Sequence, residues 1–134
     1  MAHLTKDQIL LAGDIKTEEL DVPEWGGTIL VRGLTGTDRD AWEMSMMSVD
    51  TSGEGVSVEA HTENRRAKMV SRAVVDEQGN LLFSEADIER LGQKSALVLD
   101  RICDVISRLS GIGKDAEEKA AKNSSGRKSG STSG

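Results

Sequence analysis

Between Lys94 and Ser110 the apolar residues Val98, Ile102, Val105, Ile106 and Leu109 fall at i, i+4, i+7, i+8 and i+11. That spacing puts them on one face of an α-helix, and it is the strongest helical pattern in the chain. A helix of this length with one greasy face must bury that face against other elements, so the rest of the chain has to supply a core around it. The chain has 134 residues, enough for one core of ordinary size and too few for a second. One Phe, two Trp and no Tyr leave Leu, Ile, Val, Met and Ala to fill that core, a composition that suits helices better than a β-sandwich.

Shorter elements precede the long helix. Thr5-x-x-Gln8 has the form of a capping box ahead of Ile9, Leu10 and Leu11, predicting a short amphipathic helix that Gly13 ends. From Glu18 to Leu34 the period changes. Leu20, Val22, Ile29 and Val31 alternate with polar neighbours around Pro23-Glu24-Trp25-Gly26-Gly27, which predicts an antiparallel β-hairpin over about residues 18–34. Pro23 has no N–H to donate, so its arm belongs at a sheet edge.

Thr37-x-x-Asp40 predicts the start of a helix running to about Val49, with Trp42, Met46 and Val49 on one face and Met44 and Met47 on another. Residues 50–59, DTSGEGVSVE, read as a flexible loop. A helix is expected over His61 to Val75, with Ala67, Met69, Val70, Ala73 and Val74 on its buried side. Asp76 to Asn80 then turns the chain, and Leu81 to Phe83 is extended. Ser84-x-x-Asp87 caps another brief helix that carries Ile88 and Leu91 inward and stops at Gly92. After Gly113 the last dozen residues carry no apolar side chain, so residues 114–134 are expected to be a disordered polar tail. The predicted architecture is mainly α (α+β): one globular domain over residues 1–113, with about five helices and one N-terminal hairpin.

Charge narrows the choice of partner. The formal net charge is −6, and five basic against three acidic residues in 114–134 give that segment +2 and leave −8 for residues 1–113. An acidic body repels phosphate backbones, and no aromatic residues interleave with basic ones, so nucleic acid is not the expected partner. No run of 18 apolar residues exists, and the opening MAHLTKDQIL lacks the apolar core of an export signal, so neither a membrane span nor secretion is expected. The lone Cys103 excludes an internal disulfide and is compatible with a reducing cytosol.

No residue pattern announces catalysis, a cofactor or a metal. His3 and His61 stand apart from each other and from any Cys at ligand spacing, and both read as surface histidines. Cys103, next to Ile102 on the long helix, reads as a small core residue with no basic cluster beside it to activate a thiolate. Gly26-Gly27 lies in the hairpin signal and lacks the Lys-Ser/Thr ending and following helix of a phosphate loop, and Gly33-x-x-Gly36, though it precedes a helix, is a single pair too weak to support nucleotide binding. Glu18-Glu19 and Asp76-Glu77 lie in polar segments with no apolar pocket to raise a carboxyl pKa. What leans towards function is Met44, Met46 and Met47 close to Trp42, because polarizable methionine tolerates varied apolar partners. These residues either fill the core or present an adaptable surface. Trp25, beside two glycines at the hairpin tip, is either a lid on the core or an exposed anchor.

The stretches DVPEWGGTILVRGLTGTDRDAWE and RAVVDEQGNLLFSEADIERLGQKSALVLDRICDVISRL, followed by a KNSSG-type polar tail, occur here in that order. The combination resembles the tail assembly chaperones of long-tailed bacteriophages and prophages, over about residues 4 to 125. It lies in order and texture, namely a PEWGG hairpin, an RGL-T-G helix start, a VD-x-x-G-N turn and an F-S-x-x-D cap, with no catalytic signature. The resemblance implies a non-enzymatic factor of the bacterial cytoplasm that binds the tape-measure protein, keeps it soluble, recruits tail-tube subunits and is absent from the finished virion. Self-association is compatible with that role. Many relatives are made in two lengths by a programmed frameshift, and the residues after Ala121 resemble a short-form ending. On this reading the contact residues are Trp25, Trp42, Met44, Met46 and Met47. The rivals are a minor tail or head–tail joining protein retained in the virion, and a small acidic protein-binding regulator.

Overall fold

The computed structural model describes residues 2–112; the expected polar tail over 114–134 lies outside them. Five α-helices and five β-strands are present among these residues, a mixed α+β fold. Its centre is the predicted long helix, α5 (Ala96–Ser110), whose Val98, Leu99, Ile102 and Ile106 are buried. Val105 and Leu109, expected on the same face, are half-buried at the margin of the core.

The N-terminal hairpin forms from β1 (Thr17–Val22) and β2 (Gly27–Arg32), in a register that sets Leu20 opposite Ile29 and Val22 opposite Gly27. Pro23–Trp25 makes one 3-10 turn between them. Gly26 then reverses the chain with φ +81°, a left-handed conformation that a Cβ would strain. β1 is an edge strand, as the proline implies. The other side of β2 takes a third strand, β5 (Val74–Val75), paired antiparallel to Leu30 and Val31. That strand corrects the expected helix over 61–75. The helix α3 spans only Arg65–Ser71. The β-branched pair after it bonds to the sheet instead, and the Arg32 amide extends the ladder to the Ala73 carbonyl at 2.9 Å.

A second correction falls on residues 37–59. The helix α2 spans Gly36–Met44, and its cap is Thr35, whose Oγ1 accepts the Asp38 amide at 3.0 Å. Thr37, the predicted cap, lies inside the first turn, because the buried Leu34 fixes where the chain enters the helix. Ser45 Oγ donates to the Trp42 carbonyl at 2.6 Å and the helix stops there. Met47–Asp50 then forms strand β3, which pairs with β4 (Ser57–Ala60) in a second hairpin. Residues 50–59 are thus not a loop throughout; only 51–56 lie outside the strands. Val49 opposite Val58 is a cross-strand pair that a helix through Val49 would have forfeited.

The remaining local signals hold. Thr5 caps α1 (Lys6–Leu11) with a reciprocal Thr5–Gln8 box. Asp76 Oδ1 accepts the amides of Gln78 and Asn80, closing the expected turn. The Ser84–Asp87 box opens a 3-10 turn leading into α4 (Ile88–Gly92), which buries Leu91.

One cluster joins these pieces: Val22 and Val31 from the first sheet, Trp42 from α2, Ala67, Met69 and Val70 from α3, Leu91 from α4, and Val98, Leu99, Ile102 and Ile106 from α5. Where β2 ends, the sheet meets α5 closely enough that a Cβ on Gly33 would lie 2.9 Å from the Leu109 carbonyl oxygen. The pair Gly33-x-x-Gly36 therefore serves packing and a helix start, and the Leu34 amide donates to Ser110 Oγ at 2.8 Å across the same junction.

Candidate functional site

Two of the methionines singled out by the sequence reach solvent. Met44, at the end of α2, is 61% exposed, and Met47, at the start of β3, is 43% exposed. Met46, between them, is half-buried and packs against the core. With Asp40 and Glu43 the three line an open depression of about 460 Å³. The short distance from helix end to strand start brings them together: α2 stops at Met44 and β3 begins at Met47.

Trp42 is elsewhere. It is 8% exposed and belongs to the core, with its indole Nε1 donating to the Arg65 carbonyl at 3.1 Å. A tryptophan so enclosed and satisfied anchors α2 to α3 and is not presented to a partner. Trp25 has an intermediate position: half-buried against the core, it walls a separate groove of about 350 Å³ with Phe83, Asp87, Arg90, Leu91 and Lys94.

Sequence reasoning overlooked two apolar surfaces. Ile9, Leu10 and Leu11 are all exposed, and none of the residues of α1 is buried. The signal was available, because three consecutive apolar residues point in three directions on a short helix and cannot all face one core. The other is the β3–β4 hairpin. Its register places Met47, Val49, Val58 and Ala60 on one face and Ser48, Asp50, Ser57 and Glu59 on the other, and Val49 and Val58 are exposed.

His61, Cys103 and Glu18 each make contacts within the fold. His3 is exposed; His61 sits at the base of the second hairpin, its Nε2 2.8 Å from Ser48 Oγ and its amide donating to the Met46 carbonyl at 2.6 Å. Cys103 Sγ donates to the Arg66 carbonyl, and burial pushes its thiol up to about 12, far from a reactive thiolate. Glu18 is held below the ordinary carboxylate range by the Arg108 guanidinium and acts as a tie between hairpin and helix. Among the described residues no group of three or more His, Cys, Asp or Glu is placed to hold a metal ion. No helix there is long and apolar enough to cross a membrane.

Comparison with known proteins agrees with the sequence resemblance. A family model described as phage tail assembly chaperone matches residues 10–122. Among solved structures, the chain is similar to the tail assembly chaperone of bacteriophage HK97, with a TM-score of 0.54 over 81% of this chain and 95% of that one. The two are 16% identical, so that likeness speaks to the fold. No curated protein matches the chain.

Proposed function

This chain belongs to the phage tail assembly chaperone family, and from that premise we propose that it acts without catalysis, binding the tape-measure protein, keeping it soluble and promoting tail-tube assembly. The observation that carries this reading is the combination of uncovered apolar side chains with a strongly acidic body. Leu10, Leu11, Met44, Met47, Val49 and Val58 are all exposed, while residues 1–113 carry −8. Exposed apolar surface on a folded chain marks a place where another protein docks, and a net charge far from zero keeps the free protein dispersed until it does.

A tape-measure protein is long and rich in apolar helix, so an unassembled copy is prone to aggregate; pliable methionines beside acidic residues suit such a client. Met44, Met46 and Met47 are the contact residues in this proposal, with Trp25 at a second groove. The partners are the tape-measure and tail-tube proteins, the place of action is the cytoplasm of the bacterial host, and the protein is absent from the mature virion. A longer frameshifted product belongs to the same reading.

Co-expression tests it. The tape-measure protein, insoluble alone, is expected in the soluble fraction and in complex when this chain is made with it. An unchanged insoluble fraction, or stoichiometric amounts of this chain in purified particles by mass spectrometry, refutes the proposal.

A further inference from the structure

The second hairpin carries more apolar surface than the other described residues cover. Val49 and Val58, paired across it, are 56% and 61% exposed, and Met47 on the same face leads into the depression lined by Asp40, Glu43, Met44 and Met46. A two-stranded hairpin is marginal in water unless another layer packs on its apolar face. From this geometry we propose that the β3–β4 face and the adjoining methionine depression form one docking strip for an amphipathic α-helix whose apolar stripe is bordered by Lys or Arg. The inference deepens the chaperone reading and rests on it for the identity of the natural partner.

Dimensions favour a helix. Two strands about 4.8 Å apart make a face about 10 Å wide, the diameter of one α-helix, and four strand residues span about 13 Å, a little over two helical turns. Strand addition to the hairpin edge would bond the backbone and leave Val49 and Val58 in water.

Charge favours a basic flank. The Asp40 carboxylate has no ionic or hydrogen-bonding partner among the described residues, and the Glu43 carboxylate has there only Arg39, four residues before it, at 3.4 Å on an exposed helix surface. A Lys or Arg bordering the incoming stripe meets Asp40 directly. A second copy of this chain would instead bring another acidic body, −8 over residues 1–113, against Asp40 and Glu43, a like-charge arrangement that weakens association.

The test uses the full-length chain and two synthetic peptides of about 20 residues, long enough for stable helix. Both carry the same leucine stripe, flanked by lysine in one and by glutamate in the other. Calorimetric titration is expected to show binding of the lysine peptide and much weaker binding of the glutamate peptide. Replacing Val49 and Val58 together by Thr keeps β-branched strand formers while removing apolar surface, and is expected to weaken the lysine peptide by about tenfold or more. Asp40→Lys is expected to shift preference towards the glutamate peptide. Should circular dichroism show that the double variant has lost the hairpin, Met44→Ser on the helix α2 is expected to weaken binding alone. Equal affinity for the two peptides, or wild-type affinity in Met44→Ser and in a folded double variant, overturns the proposal. So does sedimentation showing that the valine substitutions dissociate an oligomer of this chain, which would make a second copy the occupant. Variants that lose the peptide but still solubilise the tape-measure protein refute this surface as its site and leave the chaperone reading intact. Peptide binding by a chain with no effect on tape-measure solubility leaves the surface standing and removes that reading.

Discussion

Arg101 holds both carboxylate oxygens of Glu24, at 2.7 and 2.6 Å, across 77 residues of sequence. The contact ties the turn of the first hairpin to the middle of α5, and Arg108 repeats it lower down by donating to Glu18 at 2.7 Å. Bidentate geometry of this kind fixes orientation as well as adding attraction.

The Glu24 carboxyl is lowered from 4.5 to about 2, chiefly by the hydrogen bond from Arg101 and then by a backbone bond within its own turn. A carboxyl depressed in the folded state stabilises it fully above the unfolded pKa, and that contribution is lost as pH falls through the folded one. The denaturation midpoint of wild type should therefore exceed that of Glu24→Gln at neutral pH, and the gap should close between about pH 4.5 and pH 2. Because the pair is solvent-exposed, the gap should also shrink in high salt. A pH-independent gap would refute the assignment.

Gly33 has no room for a side chain against the Leu109 carbonyl at 2.9 Å. Gly33→Ala should cost about 1–3 kcal/mol through displacement of β2 from α5, whereas Gly36→Ala, where a Cβ meets nothing within 4 Å, should be far milder. Urea unfolding of the two variants decides it; equal stabilities would show that the junction yields freely.

The two threonines at the start of α2 separate the real cap from the apparent one. Thr35→Ala removes the acceptor for the Asp38 amide and should destabilise by about 1 kcal/mol. Thr37→Ala, inside the first turn, should leave stability within about 0.5 kcal/mol of wild type. The opposite ranking in thermal melts would move the helix start.

Burial raises the Cys103 thiol from 9.0 to about 12. Iodoacetamide at pH 8 should modify it slowly in the native protein and rapidly in denaturant. Linkage adds a second expectation: the unfolded chain releases this proton near pH 9 while the folded one retains it, so stability should fall as pH rises from about 9 towards 12, and less so in Cys103→Ala. Fast native alkylation would place the thiol at the surface.

What the sequence determined by itself is what neighbouring residues settle among themselves. The period of α5, the Thr5–Gln8 and Ser84–Asp87 boxes, and the hairpin turning at Gly26 depend on residues a few positions apart, and each stands where the local pattern puts it. Tertiary structure decided the segments whose local preference was divided. Val49 satisfies a helical face as well as a strand, and only pairing with Val58, nine residues on, selects the strand; Val74 and Val75 leave α3 because β2 offers them a ladder. The candidate surface follows the same division. Composition announced the apolar methionines and the acidic body, but burial is a property of the whole packed assembly. The indole of Trp42 turned inward to the Arg65 carbonyl, while α1 and the second hairpin were left with apolar faces that no other part of the described chain covers.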